Sequence, residues 1–147
     1  MVVNPHGNML VYYIKCNSKS WLGINRIMSY QEQVEQFMTQ GEQKFPQNIK
    51  SDMADLYMSL ITEEYNETWE AFHKRDLVEV ADGLADMVWV IMGMASVLNI
   101  PFDAVWNEVR ASNMSKFVDG KVVKNADGKI MKPDGYFRPD IEGILND

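Results

Sequence analysis

A chain of 147 residues suffices for one domain with a real core and is too short for two sizeable ones. Apolar residues make up 46% and the formal charge is −7, which excludes a disordered chain and a basic surface that holds nucleic-acid polymers by their backbone. An acidic protein still binds a polyphosphate when a metal ion reverses the local sign.

Residues 1–28 mix a short apolar run at 9–14 with Asn, Ser and Gly. They read as an N-terminal extension, with a short strand at residues 10–14, ahead of a domain at 29–147. The run lacks a basic leader and a small-residue cleavage site, so no signal peptide is expected. No segment reaches the roughly 18 to 20 apolar residues of a membrane span, so no membrane partner is expected. The lone Cys16 cannot form an internal disulfide, which suits a reducing cytoplasm.

Regular periodicity begins at Ser29-Tyr30-Gln31-Glu32, a capping box in which hydroxyl and carboxylate satisfy the first free N–H groups of a helix. Val34, Phe37, Met38 and Phe45 follow at helical spacing, and Pro46 marks the end. A second helix is predicted over residues 51–72, with Met53, Leu56, Tyr57, Leu60, Ile61, Ala71 and Phe72 as its apolar stripe. After the turn at residues 73–76, a third helix over 77–98 is apolar nearly all round, as a central bundle helix should be. Asn99 and Pro101 end it, and a fourth helix starts at Pro101 with the stripe Phe102, Val105, Trp106 and Val109. Beyond Lys116 the pairs Asp119-Gly120 and Asp127-Gly128 predict turns and a small β-hairpin closed near residues 125–128, followed by a loop-like tail. The expected fold is all-α: an antiparallel four- to five-helix bundle with that C-terminal hairpin.

The second and third helices carry acids where leucines belong. At about 100° per residue, Glu64 lies roughly 40° to one side of Leu60 and Glu67 roughly 20° to the other, with Glu63 at the stripe's edge. Asp82 and Asp86 repeat the anomaly one turn apart among Val80, Leu84, Ala85 and Val88, and Glu79 shares their face. A short turn packs the two helices antiparallel, which sets Glu67 opposite Asp82 and Glu64 roughly opposite Asp86. Desolvating a carboxylate costs several kcal/mol, and like charges add repulsion. The basic residues of these helices, Lys74 and Arg75, sit at the turn, so a hard divalent cation with oxygen ligands is the expected remedy. Each acid taken singly also reads as a solvated or ion-paired surface residue, and Asp76-Leu77-Val78-Glu79 also reads as a capping-box variant. Asn113 and Lys116 continue the Val109 stripe and are expected to face the same interior, where amide and ammonium meet phosphate or base. Lys124, Lys132 and Tyr136 are candidates to close over a substrate, or ordinary hairpin and tail residues.

Glu63-Glu64-Tyr65-Asn66-Glu67, followed by Glu79-Val80-Ala81-Asp82-Gly83-Leu84-Ala85-Asp86, resembles the EExxE and ExxD pattern of the all-α nucleoside triphosphate pyrophosphohydrolases. These are the MazG-like and phosphoribosyl-ATP pyrophosphohydrolase-like proteins, with relatives among dimeric dUTPases. Ala111-Ser112-Asn113-Met114-Ser115-Lys116 and Gly135-Tyr136-Phe137-Arg138-Pro139-Asp140 resemble one branch of that group. The literal ExxD match is Glu79 with Asp82, whereas the antiparallel register favours Asp82 with Asp86; Asp82 is common to both. The resemblance implies Mg²⁺-dependent release of pyrophosphate from a nucleoside triphosphate, with Mn²⁺ as an alternative ion, in nucleotide-pool housekeeping. It implies Glu64, Glu67, Glu79, Asp82 and Asp86 as ligands and Glu63 as the base. It implies substrate contacts from Asn113, Lys116, Lys124 and Tyr136, and a homodimer or homotetramer. Two competing readings remain: a non-catalytic nucleotide-binding helical module, and a di-iron carboxylate bundle. The latter needs two Glu-x-x-His pairs, and Glu70-Ala71-Phe72-His73 supplies one.

Overall fold

A computed structural model describes residues 27–146, so Cys16 and the strand expected at residues 10–14 lie outside the described residues. Five helices follow in order: α1 (Tyr30–Gln40), α2 (Asp52–Lys74), α3 (Leu77–Val97), α4 (Phe102–Met114) and α5 (Ile141–Asn146). The class is all-α, as expected.

Local chemistry accounts for the helix ends. The capping box at Ser29 forms as expected: Glu32 N–H donates to Ser29 Oγ at 3.2 Å, and Ser29 N–H to Glu32 Oε2 at 2.8 Å. The helix stops at Gly41, earlier than Pro46 suggests, and Phe45 instead packs on the core from the following loop. Ser51 caps α2, and Arg75 ends it in the left-handed conformation at φ 59°. Asp76 then caps α3 through bonds from the Val78 and Glu79 N–H groups. Pro101 precedes α4 without a side-chain cap of its own. The Gln31 amide oxygen replaces it, accepting from Phe102 N–H at 3.1 Å.

The core lies where α1, the N-terminal half of α2 and the C-terminal half of α3 meet: Val34, Met38, Ala54, Tyr57, Val90, Met92 and Val97. Polar contacts lock α1 onto α3. Ser96 Oγ donates to Glu35 Oε1 at 2.9 Å, and Gln31 Nε2 donates to the Ile100 carbonyl at 3.0 Å. By length and composition α3 is apolar enough to cross a membrane, which the sequence reading did not anticipate. Its place between α1 and α2, with a buried C-terminal half, accounts for that composition as a core helix.

Among the described residues the five helices do not close a bundle. The main packing is α2 on α3, then α1 on α3; α4 packs against α5 and makes no extended contact with α2 or α3. The far half of the α2–α3 pair therefore projects beyond α1. The expected β-hairpin is also corrected, because among the described residues the C-terminal segment holds two isolated bridges, Val118 to Lys121 and Lys124 to Ile130. Asp119 (φ 50°) and Gly120 (φ 72°) do form a tight turn of the hairpin type, but the next turn follows within a few residues. Around the expected closure, Asn125 N–H donates to the Lys129 carbonyl at 2.9 Å and Met131 N–H to the Val123 carbonyl at 2.8 Å, but the pairing does not extend into regular strands, and Val123 stays exposed.

Candidate active site

Two glycines set the register of α2 against α3. A Cβ at Gly83 would overlap the Thr68 hydroxyl, and one at Gly93 would overlap the Tyr57 ring. Thr68 thus faces Gly83 while Tyr57 faces Gly93, an antiparallel pairing. Between and beside these contacts the same pairing sets Glu64 near Asp86 and Glu67 near Asp82. The electrostatics agree. Burial first, then the charges of Asp86, Glu67, Glu63 and Asp82, hold the Glu64 carboxyl above the ordinary carboxylate range.

Among the described residues none of the six acids Glu63, Glu64, Glu67, Glu79, Asp82 and Asp86 forms an ion pair. The pair that α2 does form, Lys74 to Glu70 at 3.3 Å, lies beyond them at the turn. Glu79 is not spent on a capping box, because the Asp76 N–H donates to the Ala71 carbonyl instead.

The carboxylates share a face but are not drawn in. Glu64 is half-buried while the other five are exposed, and among the described residues no three acidic, histidine or cysteine side chains come together closely enough to hold a metal ion. This differs from the inward convergence expected from the sequence. Like-charged carboxylates on one face repel, and exposure to water lowers that cost.

Asn113 and Lys116 do not join these acids in one chain. They lie at the end of α4, where Lys116 Nζ donates to Asn113 Oδ1 at 2.6 Å. Lys116 Nζ and Lys132 Nζ stand 5.9 Å and 4.6 Å from the centre of the Tyr136 ring. A hydrogen bond with Ser112, then the charges of Lys132 and Lys116, hold the Tyr136 phenol below its ordinary range. Lys124 is exposed, in the bridge to Ile130 that flanks the second turn.

Glu70 and His73, half of a di-iron signature, are engaged elsewhere: Glu70 with Lys74, and His73 Nδ1 with the Trp69 carbonyl at 2.8 Å. A hollow of about 680 Å³ lies instead between the start of α1, the end of α3, α4 and α5, lined by Gln31, Glu35, Ser96 and Phe102 among others. Gln31, Ser96 and Glu35 bond one another there and brace α1 on α3. Sequence reasoning missed that brace, although a serine in the apolar run of α3 was its signal.

A family model described as phosphoribosyl-ATP pyrophosphohydrolase matches residues 31–113. The span takes in all six acids and Asn113, and stops short of Lys116, Lys124 and Tyr136. Among curated proteins no match is found. The class is that of all-α hydrolases of phosphoric anhydrides acting on a nucleotide. The chain belongs to the phosphoribosyl-ATP pyrophosphohydrolase family, part of the MazG-like all-α NTP pyrophosphohydrolase superfamily.

Proposed function

We propose that this chain hydrolyses a nucleoside triphosphate to the monophosphate and pyrophosphate with the aid of Mg²⁺, in nucleotide-pool housekeeping. The observation that carries the reading is Glu64, set by helix register among Asp86, Glu67, Glu63 and Asp82, with no cation among the described residues paired to any of them. The donor chemistry fits a hard ion: every candidate is a carboxylate, the charge is unbalanced, and the two helices are in register. Mn²⁺ shares that preference.

Glu64, Glu67, Asp82 and Asp86 would hold the ion, with Glu79 a further donor on the face of Asp82. A bound Mg²⁺ neutralises phosphate charge and activates water. Glu63, at the edge of the acidic face, takes the proton of the attacking water. Asn113, Lys116, Lys124 and Tyr136 meet the phosphates and the base. Self-association, as a homodimer or homotetramer, belongs to the same reading. Leu77 is 80% exposed, Trp69 54% and Leu84 52%, more apolar surface than two packed helices ordinarily leave to water.

Pyrophosphate release from a panel of ribo- and deoxynucleoside triphosphates and phosphoribosyl-ATP tests the proposal. Turnover that requires Mg²⁺ is the expected result. A nucleotide that raises the melting temperature yet is never cleaved would leave a binding module instead.

A further inference from the structure

The two close approaches between α2 and α3 serve different ends of the pair. Gly93 meets the Tyr57 ring inside the core. Gly83 meets Thr68 in the middle of the acids. Asp82 precedes Gly83 directly and Asp86 follows three residues on, while Glu67 precedes Thr68 directly and Glu64 lies four residues before it. From Leu77 to Trp89, Gly83 is the one buried residue of α3.

A Cβ at Gly83 would lie 3.3 Å from Thr68 Cβ and 3.4 Å from Thr68 Cα, besides overlapping the hydroxyl. Turning the Thr68 side chain moves neither of those carbons, so only a wider helix separation makes full room. The hydroxyl is in addition tied to the Glu64 carbonyl at 2.7 Å. Glycine in a helix interior costs stability relative to alanine; at this position it lets the α3 backbone rest directly on α2.

The two rows of acids differ in reach. Glu64 and Glu67 on α2 carry one methylene more than Asp82 and Asp86 on α3. A glutamate carboxylate swings widely by rotamer changes, whereas an aspartate carboxylate stays close to its own backbone. Exposed side chains turn at little cost, but the separation of two packed helices does not change with them. How near the aspartates stand to the glutamates is therefore set by the contact of Gly83 with Thr68. That nearness bears on ion size. Mg²⁺ takes oxygens at about 2.0–2.1 Å in near-ideal octahedral geometry, and Ca²⁺ at about 2.3–2.6 Å in flexible geometry.

We propose that Gly83 is a positioning residue for the ion of the proposed site: by seating α3 directly on Thr68, it holds Asp82 and Asp86 close enough to Glu64 and Glu67 for the smaller ion, and so sets the preference between Mg²⁺ and Ca²⁺. The proposal rests on the metal reading of the acidic face. A methyl group at position 83 widens the seam beside Asp82, which a small ion of strict geometry tolerates less than a large one of loose geometry.

Calorimetric titration of the full, metal-free chain with Mg²⁺ and with Ca²⁺ tests this without reliance on turnover. Gly83→Ala should weaken Mg²⁺ binding about 10-fold, the scale for a group that orients a ligand without touching the ion, and Ca²⁺ binding far less. The ratio of the two dissociation constants then moves toward Ca²⁺. Asp82→Glu supplies a second readout. It should weaken Mg²⁺ binding in the wild-type background and strengthen it in Gly83→Ala, because the added methylene spans the wider seam. Ser96→Ala, which loosens the far end of α3, should leave the ratio at its wild-type value. If Gly83→Ala does not fold, Thr68→Ile places the added carbon on the other helix and is read in the same way. Equal losses for both ions, an unshifted ratio, an equal shift in Ser96→Ala, or Asp82→Glu acting alike in both backgrounds overturns the proposal while the metal reading stands. A wild type that binds neither ion sinks that reading, and this proposal with it.

Discussion

Gly83 of α3 rests against Thr68 of α2 with no room for even a methyl group: a Cβ there would overlap the Thr68 hydroxyl and lie 3.3 Å from its Cβ. Thr68 cannot turn away without loss, because its hydroxyl donates to the Glu64 carbonyl at 2.7 Å. The contact that sets the helix register thus sits one turn from the carboxylates it positions.

Gly83→Ala should lower stability. Helix propensity favours alanine by about 1 kcal/mol, but overpacking costs about 1–3 kcal/mol, so a net loss of roughly 1 kcal/mol is expected by denaturant titration. Thr68→Ala in the same chain should recover most of it. Wild-type stability in the single variant would show that α2 and α3 part freely.

Glu64 should govern the response to pH and, on the proposed reading, to metal. Its carboxyl is raised above its unfolded value, so its contribution to stability is full below the ordinary glutamate range and is lost as pH rises through the raised value. Glu64→Gln should therefore melt higher than wild type at neutral pH without metal, and the gap should close below about pH 4. Mg²⁺ should raise the melting point of wild type in a concentration-dependent way and leave Glu64→Gln much less affected. Equal Mg²⁺ responses in calorimetry would remove Glu64 from the ligand set.

Glu67→Gln should reduce turnover roughly 10²-fold or more, the scale of losing one electrostatic stabiliser of developing charge, with the helical circular-dichroism signal unchanged. Glu70→Gln, one turn further and paired with Lys74, should retain turnover near wild type. Similar losses in both variants would point to general surface charge rather than to a site.

Ser96 is buried, at 3% exposure, and its hydroxyl lies between Glu35 and Gln31. Ser96→Ala leaves those groups short of a partner and should cost about 1–3 kcal/mol in chemical denaturation. Turnover should survive at temperatures where the variant stays folded, because the brace lies at the opposite end of α3 from Asp82 and Asp86. An unchanged midpoint would mean that water replaces the hydroxyl at no cost.

Much of this was legible in advance for physical reasons that can be named. Capping residues such as Ser29, Ser51 and Asp76 act on their own backbone neighbours, so they mark helix starts without knowledge of the fold. The register of Glu64 with Asp86 followed from a short turn and the helix period, and the contacts of Gly83 and Gly93 agree with it. The direction of α4 was not legible. Its stripe of Phe102, Val105, Trp106 and Val109 records that a surface is needed, not which one, and among the described residues Trp106 stays 61% exposed. The hairpin stops short of strands for a related reason: the turn at residues 125–128 forms, with Gly128 N–H donating to the Asn125 carbonyl, but only a packed layer extends a turn into strands. The alignment of the carboxylates on one face was legible from residue spacing, but their exposure was not, because spacing records direction and not depth of burial.

One helix carries two duties at its two ends. From Val90 onward α3 is clasped by α1 and the start of α2, while its first turns, through Asp82 and Asp86, rest among the described residues on α2. On the proposed reading, substitutions of the exposed side chains in those early turns alter which ligand is accepted without unseating the anchor that keeps the chain folded. Selection on specificity and selection on persistence can therefore act on separate stretches of a single 21-residue element.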